Sequence, residues 1–442
     1  MHFVWGGASR ADAVALIETV PSARDAPPTE LALHPVFRLS PFSAPPFSLP
    51  PRAVGLGFSI SGRRSTYDLP VSEDISPKPD LADIRKRIDA LDDEIQRLIG
   101  ERAQLALDVR TSKGALEGGV DYYRPEREAQ VLRRVIERNE GPLSDSVMLR
   151  LFREIMSACL AQQEPMKIAY LGPEGTFTQQ AVYRQFGHSV QAIAMASIED
   201  VFLQVQAGEA DFGVVPVENS TQGMVTHTLD MFLNAEVKIC AEVELRIHQH
   251  LLTHAKSLTE IERVYAHAQS LAQCKHWLRA NLPEAELIAV SSNAEAARRV
   301  RTSPESAAVA GAHAAEVYGV PVLFGNIEDH VDNTTRFLVL GRALLEPSGD
   351  DKTTLLVAGA DGPGALFQLL EPLARHGINM NRIESRPSRQ GRWDYVFFID
   401  VDGHVTDPNL KAAMAELEGD ARMVRVLGSY PRAVLGKLPE TG

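Results

Sequence analysis

From Leu81 the apolar residues fall at 81, 84, 88, 91, 95 and 98, then at 105 and 109, in steps of three and four. That spacing keeps one face of an α-helix apolar and does not fit the period of two of a strand. It predicts a single helix from Asp80 to Lys113, about 50 Å long at 1.5 Å per residue. A small isolated domain cannot cover such a stripe. The helix needs a partner, most simply a second copy of itself.

The stripe is interrupted by charge. The step after Leu98 lands on Arg102, and Lys113 lies four residues after Val109. A long cation on an apolar face is costly unless it is paired or meets an anion, so either a snorkelling or ion-paired side chain or a ligand site accounts for Arg102. A second cluster runs from Tyr122 to Glu128, with Pro125 suited to a helix's first turn and Arg127 and Glu128 just after it. That pair fits a solvated helix face as well as a site. A third helix is expected after Ser144, with an inner face of Met148, Leu151, Phe152, Ile155 and Cys159 that continues to Gln163. Three helices thus each carry a polar residue toward one interior, the pattern of a pocket for an anion with several carboxylates.

The remaining chain bounds the reading. At 442 residues two to four domains are expected. The net charge of −13 argues against nucleic acid or an anionic membrane as partner. No apolar stretch is long enough to span a bilayer. Three scattered cysteines without a CxxC exclude a disulfide framework or a cysteine zinc site, and point to reduced thiols in the cytoplasm. Residues 1–77, with three Pro-Pro pairs and no periodicity, read as a disordered extension.

Residues 166–345 alternate short apolar runs with helical patterns, which predicts a largely parallel α/β sheet. Strands are expected at 167–171, 212–217, 237–252, 263–267, 287–290, 307–310 and 336–340, and helices after Thr176, Ser197, Ser270 and Asn293. The run at 237–252 reads as strands that double back, and so as two lobes with a cleft. Four polar loops sit at element junctions: Gly172–Thr178, the stretch from Pro216 through Glu218, Asn219, Ser220 and Thr221 to Gly223, His267-Ala268-Gln269, and Asn333-Thr334-Thr335-Arg336. Each alone fits turn chemistry; together they point to a site at strand ends. The first loop is neither a GxGxxG nor a lysine-bearing phosphate loop. His248, His250 and His254 invite a metal reading, but the sequence offers no obvious completing ligand and no metal is expected. Residues 353–432 read βαββαβ, the ferredoxin-like split unit.

These stretches carry a resemblance. Residues 78–165 look like an all-α chorismate mutase domain, 166–345 like a prephenate dehydratase domain with a bilobal, periplasmic-binding-protein-like α/β fold, and 353–432 like an α+β ACT domain that binds phenylalanine. The resemblance implies a multidomain enzyme that rearranges chorismate to prephenate, then dehydrates and decarboxylates prephenate to phenylpyruvate, with feedback inhibition by phenylalanine and no cofactor. Carried over by position, Arg85 (reaching the partner protomer's site), Arg102, Arg127 and Glu128 bind the mutase substrate, and Lys113 and Gln163 are its catalytic donors. Thr335 is the dehydratase's catalytic residue, and Thr176, Glu218, Asn219, Ser220, Thr221, Gln269 and Arg336 hold its substrate. Gly364, Ala365 and Leu366 with Glu384, Ser385, Arg386 and Pro387 form the phenylalanine motifs. Arg124, Cys159 and Ala266 stand where the family often has Asp, Ser and Ser. Both the mutase and ACT parts imply a homodimer or higher homo-oligomer. Rival readings are a non-catalytic amino-acid sensor on the bilobal fold, an arogenate-using dehydratase, and a mutase fused to prephenate dehydrogenase, the last opposed by the missing GxGxxG.

Overall fold

Local chemistry starts and stops several of the helices. Ser197 and Ser292 cap helices by accepting the N–H of Asp200 and Glu295 (3.1 and 3.0 Å), and Gly208, in the left-handed region, ends the first of these helices. The computed structural model describes residues 80–113 (backbone only at 110–113), 123–162, 165–359, 362–388 and 395–434. The expected extension at 1–77 lies outside the described residues.

The helical module comprises α1 (Leu81–Lys113), α2 (Pro125–Glu137) and α3 (Asp145–Ala161). Within one chain the stripe of α1 is uncovered, with Leu91 62% and Leu105 64% exposed. The inner face of α3 differs from the expected one. It buries Leu149, Met156 and Cys159 and leaves Leu151 exposed, a rotation of about one residue set by packing on α2 and on the next module.

The central module runs β1 (Lys167–Leu171), α4 (Phe177–Phe186), β2 (Gln191–Met195), α5 (Ile198–Ala207), β3 (Phe212–Asn219), β4 (Gly223–Met224), α6 (Thr226–Phe232) and β5 (Lys238–Arg246). It then crosses into a second lobe: β6 (His250–Thr253), β7 (Arg263–His267), α7 (Ala268–Gln273), α8 (Lys275–Asn281), β8 (Glu286–Val290), α9 (Asn293–Val300), β9 (Ser306–Ala310), α10 (Ala312–Tyr318) and β10 (Val322–Phe324). β11 (Thr334–Gly341) returns to the first lobe between β3 and β5, giving sheets ordered β2-β1-β3-β11-β5 and β10-β6-β9-β7-β8. The expected doubling back at 237–252 is a crossing instead, since β5 and β6 belong to different sheets. The two crossing segments bond each other through Ile247 N–H to Asn333 O (2.7 Å) and Ile327 N–H to Gln249 O (2.8 Å). The helix expected after Ser270 starts earlier, at Ala268, capped by the His267 ring.

The C-terminal module is β12 (Asp351–Ala358), α11 (Ala365–Arg375), β13 (Met380–Pro387), β14 (Tyr395–Asp402), α12 (Pro408–Asp420) and β15 (Met423–Pro431). Its sheet order, β13-β14-β12-β15, is that of the split βαββαβ unit. Leu356, Val396, Phe398, Leu427 and Tyr430 on this sheet share one core with Val205, Phe232 and Leu340 of the first lobe, so the two modules are packed as one body. Tyr123 plugs the helical module into the opposite face of that lobe, against Phe186 and Phe212.

Candidate active sites

Antiparallel pairing sets Thr335 of β11 beside Asn219 of β3, at the mouth of a cavity of about 790 Å³ between the lobes. Asn219 Nδ2 donates to Thr335 Oγ1 (2.8 Å) and to Asn333 Oδ1 (2.9 Å). Its Oδ1 accepts from both the backbone N–H and the hydroxyl of Thr221 (3.1 and 2.6 Å). A backbone N–H can only donate, so the orientation of the Asn219 amide follows. The ring closes through Asn333 Nδ2 to Gln273 Oε1 (3.2 Å) and Gln273 Nε2 to Thr221 Oγ1 (3.1 Å). Thr335 is therefore held as an acceptor from Asn219, and its own hydrogen is left to donate into the cleft.

The opposite wall repeats this design. Asn293 and Gln249 both donate to Ser270 Oγ (2.7 and 3.2 Å), and Asn293 Oδ1 accepts the His267 N–H (2.9 Å). Thr176 lines the cavity as the cap of α4, accepting Gln179 N–H at 3.4 Å, and Gln269 lines it from α7. Among the described residues that line the cavity there is no Arg, Lys, Asp or Glu; His227 and His267 are the ionisable side chains. A carboxylate here would be met by amides, hydroxyls and helix-start N–H groups.

Four expected substrate residues do not line this cavity. Glu218 and Arg336 are strand partners on the reverse face, because neighbours along a strand point to opposite sides. Glu218 pairs with Arg382 of β13, and Arg336 bonds Glu242 (2.8 Å) and Asp400 (2.9 Å). Burial would lower the pKa of Arg336, but Tyr430, Asp400 and Glu242 together hold it above the ordinary guanidinium value. Ser220 ties the returning loop, donating to Asp332 O and accepting from Thr334 N–H. Thr221 serves the amide ring. Gln249 escaped the sequence reading, and Ser270 and Asn293 were marked there only as helix starts, because no local pattern shows that they meet at the cleft. Asn333 opened one of the four polar loops and Gln273 followed another, both without an assigned role.

The second cavity, about 530 Å³, lies between α1, α2 and α3 and is lined by Arg102, Arg127, Glu128, Arg124 and Arg153. Arg153 is a cation that periodicity missed. It lies beside the expected face of α3 and donates to Glu128 at 3.1 Å, with both side chains largely buried. Glu128, expected to bind the mutase substrate, is thus already engaged. Burial, with the Glu128 charge beside it, pushes the Tyr123 phenol well above its ordinary pKa. Arg85 lies 17 residues before Arg102, about 25 Å along the helix at 1.5 Å per residue, and outside its own chain's pocket. Lys113 closes α1, but its side chain and all of Gln163 lie outside the described residues.

In the C-terminal module Gly364, with φ of 81°, caps α11, and Ala365 and Leu366 form its first turn. Glu384, Ser385, Arg386 and Pro387 end β13. Arg386 reaches Asp230 of α6 (2.9 Å), so it bridges two modules of one chain. Two of the three histidines hold local structure. His248 meets the carboxylate of Glu328 at 2.8 Å, a partner not foreseen, and His250 accepts the Asn326 N–H. Among the described residues no three His, Cys, Asp or Glu side chains form a metal-holding group.

Comparison with known proteins agrees with this division. The Chorismate mutase type II family matches residues 84–164, the Prephenate dehydratase family 168–344, and the ACT domain family 353–419. A bifunctional chorismate mutase/prephenate dehydratase of Stutzerimonas stutzeri is 53% identical over 366 residues, 82% of this chain and 100% of that protein. One from Pseudomonas aeruginosa is 52% identical over 359 residues, 80% and 98% of the two chains. Among solved structures, the prephenate dehydratase of Arthrobacter aurescens in complex with L-Phe is 37% identical with a TM-score of 0.57, covering 61% of this chain and 90% of its own. Similarity at that level along nearly the whole length of its relatives leaves one assignment: this chain belongs to the bifunctional chorismate mutase/prephenate dehydratase family.

Proposed function

We propose that the helical module rearranges chorismate to prephenate, and that the cleft then converts prephenate to phenylpyruvate, water and carbon dioxide in the cytoplasm. The rearrangement is unimolecular and needs no nucleophile. Arg102 and Arg127 hold the two carboxylates in a folded conformer, and Lys113 and Gln163 donate to the ether oxygen where negative charge develops. A second copy covers the stripe of α1 and brings its Arg85 to the pocket.

In the cleft, the bond between ring and carboxylate breaks and its electron pair aromatises the ring. The ring hydroxyl takes up one proton from solvent and leaves as water, assisted by the hydrogen bond from Thr335. The observation that carries this reading is the Thr335 hydroxyl, fixed as an acceptor by Asn219 and left to donate into a cleft whose described lining has no Arg or Lys. A buried cation on the departing carboxylate would oppose its loss. The same lining offers no Asp or Glu to receive an ammonium group, which favours prephenate over arogenate.

Phenylalanine acts through the C-terminal module at the Gly364–Leu366 and Glu384–Pro387 motifs, and favours a less active cleft. Purified protein given chorismate alone should form phenylpyruvate, and phenylalanine should suppress it. Accumulation of prephenate without phenylpyruvate would sink the dehydratase assignment and leave the mutase.

A further inference from the structure

On the face of β11 turned away from the cleft, Arg336 centres a buried cluster that joins two modules. Its guanidinium donates to Glu242 on β5 (2.8 Å), Asp400 on β14 (2.9 Å) and the Tyr430 hydroxyl on β15 (3.2 Å). Lys352 of β12 reaches both oxygens of Glu242 (2.6 and 2.8 Å), and the Thr354 hydroxyl donates to Asp400 at 2.7 Å. The side chains of Arg336, Glu242, Asp400 and Lys352 are 11, 4, 7 and 13% exposed. Two cations thus balance two carboxylates, and each cation faces a carboxylate of the other module.

Two further ion pairs cross the same boundary: Glu218 with Arg382, and Asp230 with Arg386. In all three links the residue on the cleft side adjoins a cleft group. Arg336 follows Thr335, Glu218 precedes Asn219, and Asp230 lies in α6, whose first residues Thr226 and His227 line the cavity. A buried charge stripped of its partner is strongly disfavoured, so β11 cannot shift or twist without breaking this cluster. Because neighbouring side chains on a strand are coupled through one backbone, a displacement of Arg336 displaces Thr335.

We propose that Arg336 is a positioning residue for Thr335, held by Asp400 and Tyr430, so that the C-terminal sheet is a working part of the dehydratase site as well as its sensor. This rests on the dehydratase reading above. It also gives the route by which a movement of the effector-binding sheet reaches the cleft.

The test uses the full chain and its mutase activity as an internal control for folding. Asp400→Asn and Tyr430→Phe should lower dehydratase kcat on prephenate about 10- to 100-fold, the scale of a misplacement near 1 Å. KM for prephenate and the turnover of chorismate should stay within about twofold of the parent. Arg336→Lys, which keeps the charge but not the fork, should retain more kcat than Arg336→Met. Dehydratase kcat equal to the parent's in both Asp400→Asn and Tyr430→Phe overturns the proposal, as does loss of mutase and dehydratase in parallel. A parent protein that makes no phenylpyruvate overturns the proposed function and this proposal with it, whereas an active parent with unaffected variants overturns this proposal alone.

Discussion

The amide of Asn219 has its oxygen committed to Thr221 and its nitrogen to Thr335. Asn219→Asp would set a carboxylate oxygen against Thr335, whose hydroxyl would then donate backwards. Dehydratase kcat should fall about 10²- to 10⁴-fold, as for Thr335→Val, while mutase turnover is kept. An Asn219→Asp enzyme with parental dehydratase kcat would show that Thr335 does not act as a donor. The converse change, Arg102→Ala, should cost the mutase about 10- to 100-fold in kcat/KM, since each charge-assisted bond contributes about 1.5–3 kcal/mol, and should spare dehydration of added prephenate. A mutase that survives it restores the snorkelling account of Arg102. Burial lowers the pKa of His313, against a smaller opposing effect of Glu316, and likewise that of His250. Folding disfavours the charged form of these rings, so the unfolded chain binds more protons at mild acidity. Their contribution is complete above about pH 6.5 and is lost as pH falls below it. The urea midpoint should drop between pH 7 and 5.5, and His313→Gln should shrink that drop. Thr335 and Asn219 were legible in the sequence because they sit in compact motifs. Glu218 and Arg336 were misread because a motif says nothing about which way alternate residues face.

At the scale of elements, α1 is a helix whose period is plain and whose partner is missing from its own chain. Ile88, Leu91, Ile95 and Leu98 are each about half exposed or more. Burying each such side chain contributes about 1.5–3 kcal/mol, enough for a two-helix seam to hold a dimer. Leu91→Asp with Leu98→Asp should yield a monomer by sedimentation and abolish mutase turnover, because Arg85 of the second copy is then absent. A doubly substituted protein that stays dimeric would place the interface elsewhere. Strands β1, β3, β5 and β11 of the first lobe were readable from their apolar runs. β2, β10 and α10 were not, being short or mixed in polarity, and the rotation of α3 follows from what packs on it, which its own periodicity does not contain.

Across the whole molecule, the C-terminal sheet is seated on the first lobe by close backbone approach. Arg425 donates to the carbonyls of Phe232, Leu233 and Ala235, Lys238 to that of Val426, and Gly428 of β15 lies against the Ile239 carbonyl. A Cβ at 428 would collide with that backbone oxygen, which cannot move aside as a side chain can. Gly428→Ala should therefore lower stability by about 1–3 kcal/mol and loosen the Arg336 cluster, reducing dehydratase kcat while the mutase persists. An unchanged urea midpoint would mean that the sheet does not sit where the shared core places it. Local order along the chain determined the three modules: hydrophobic period, caps and polar loops are properties of neighbouring residues and survive without a fold. Tertiary structure alone decided which side of each strand faces the cleft. It alone set Arg153 on Glu128 and joined Arg336 to Asp400, 64 residues away. Those choices depend on which surface arrives to cover a charge, and the energy that enforces them, the cost of leaving a charge buried without a partner, exists only once the modules have packed.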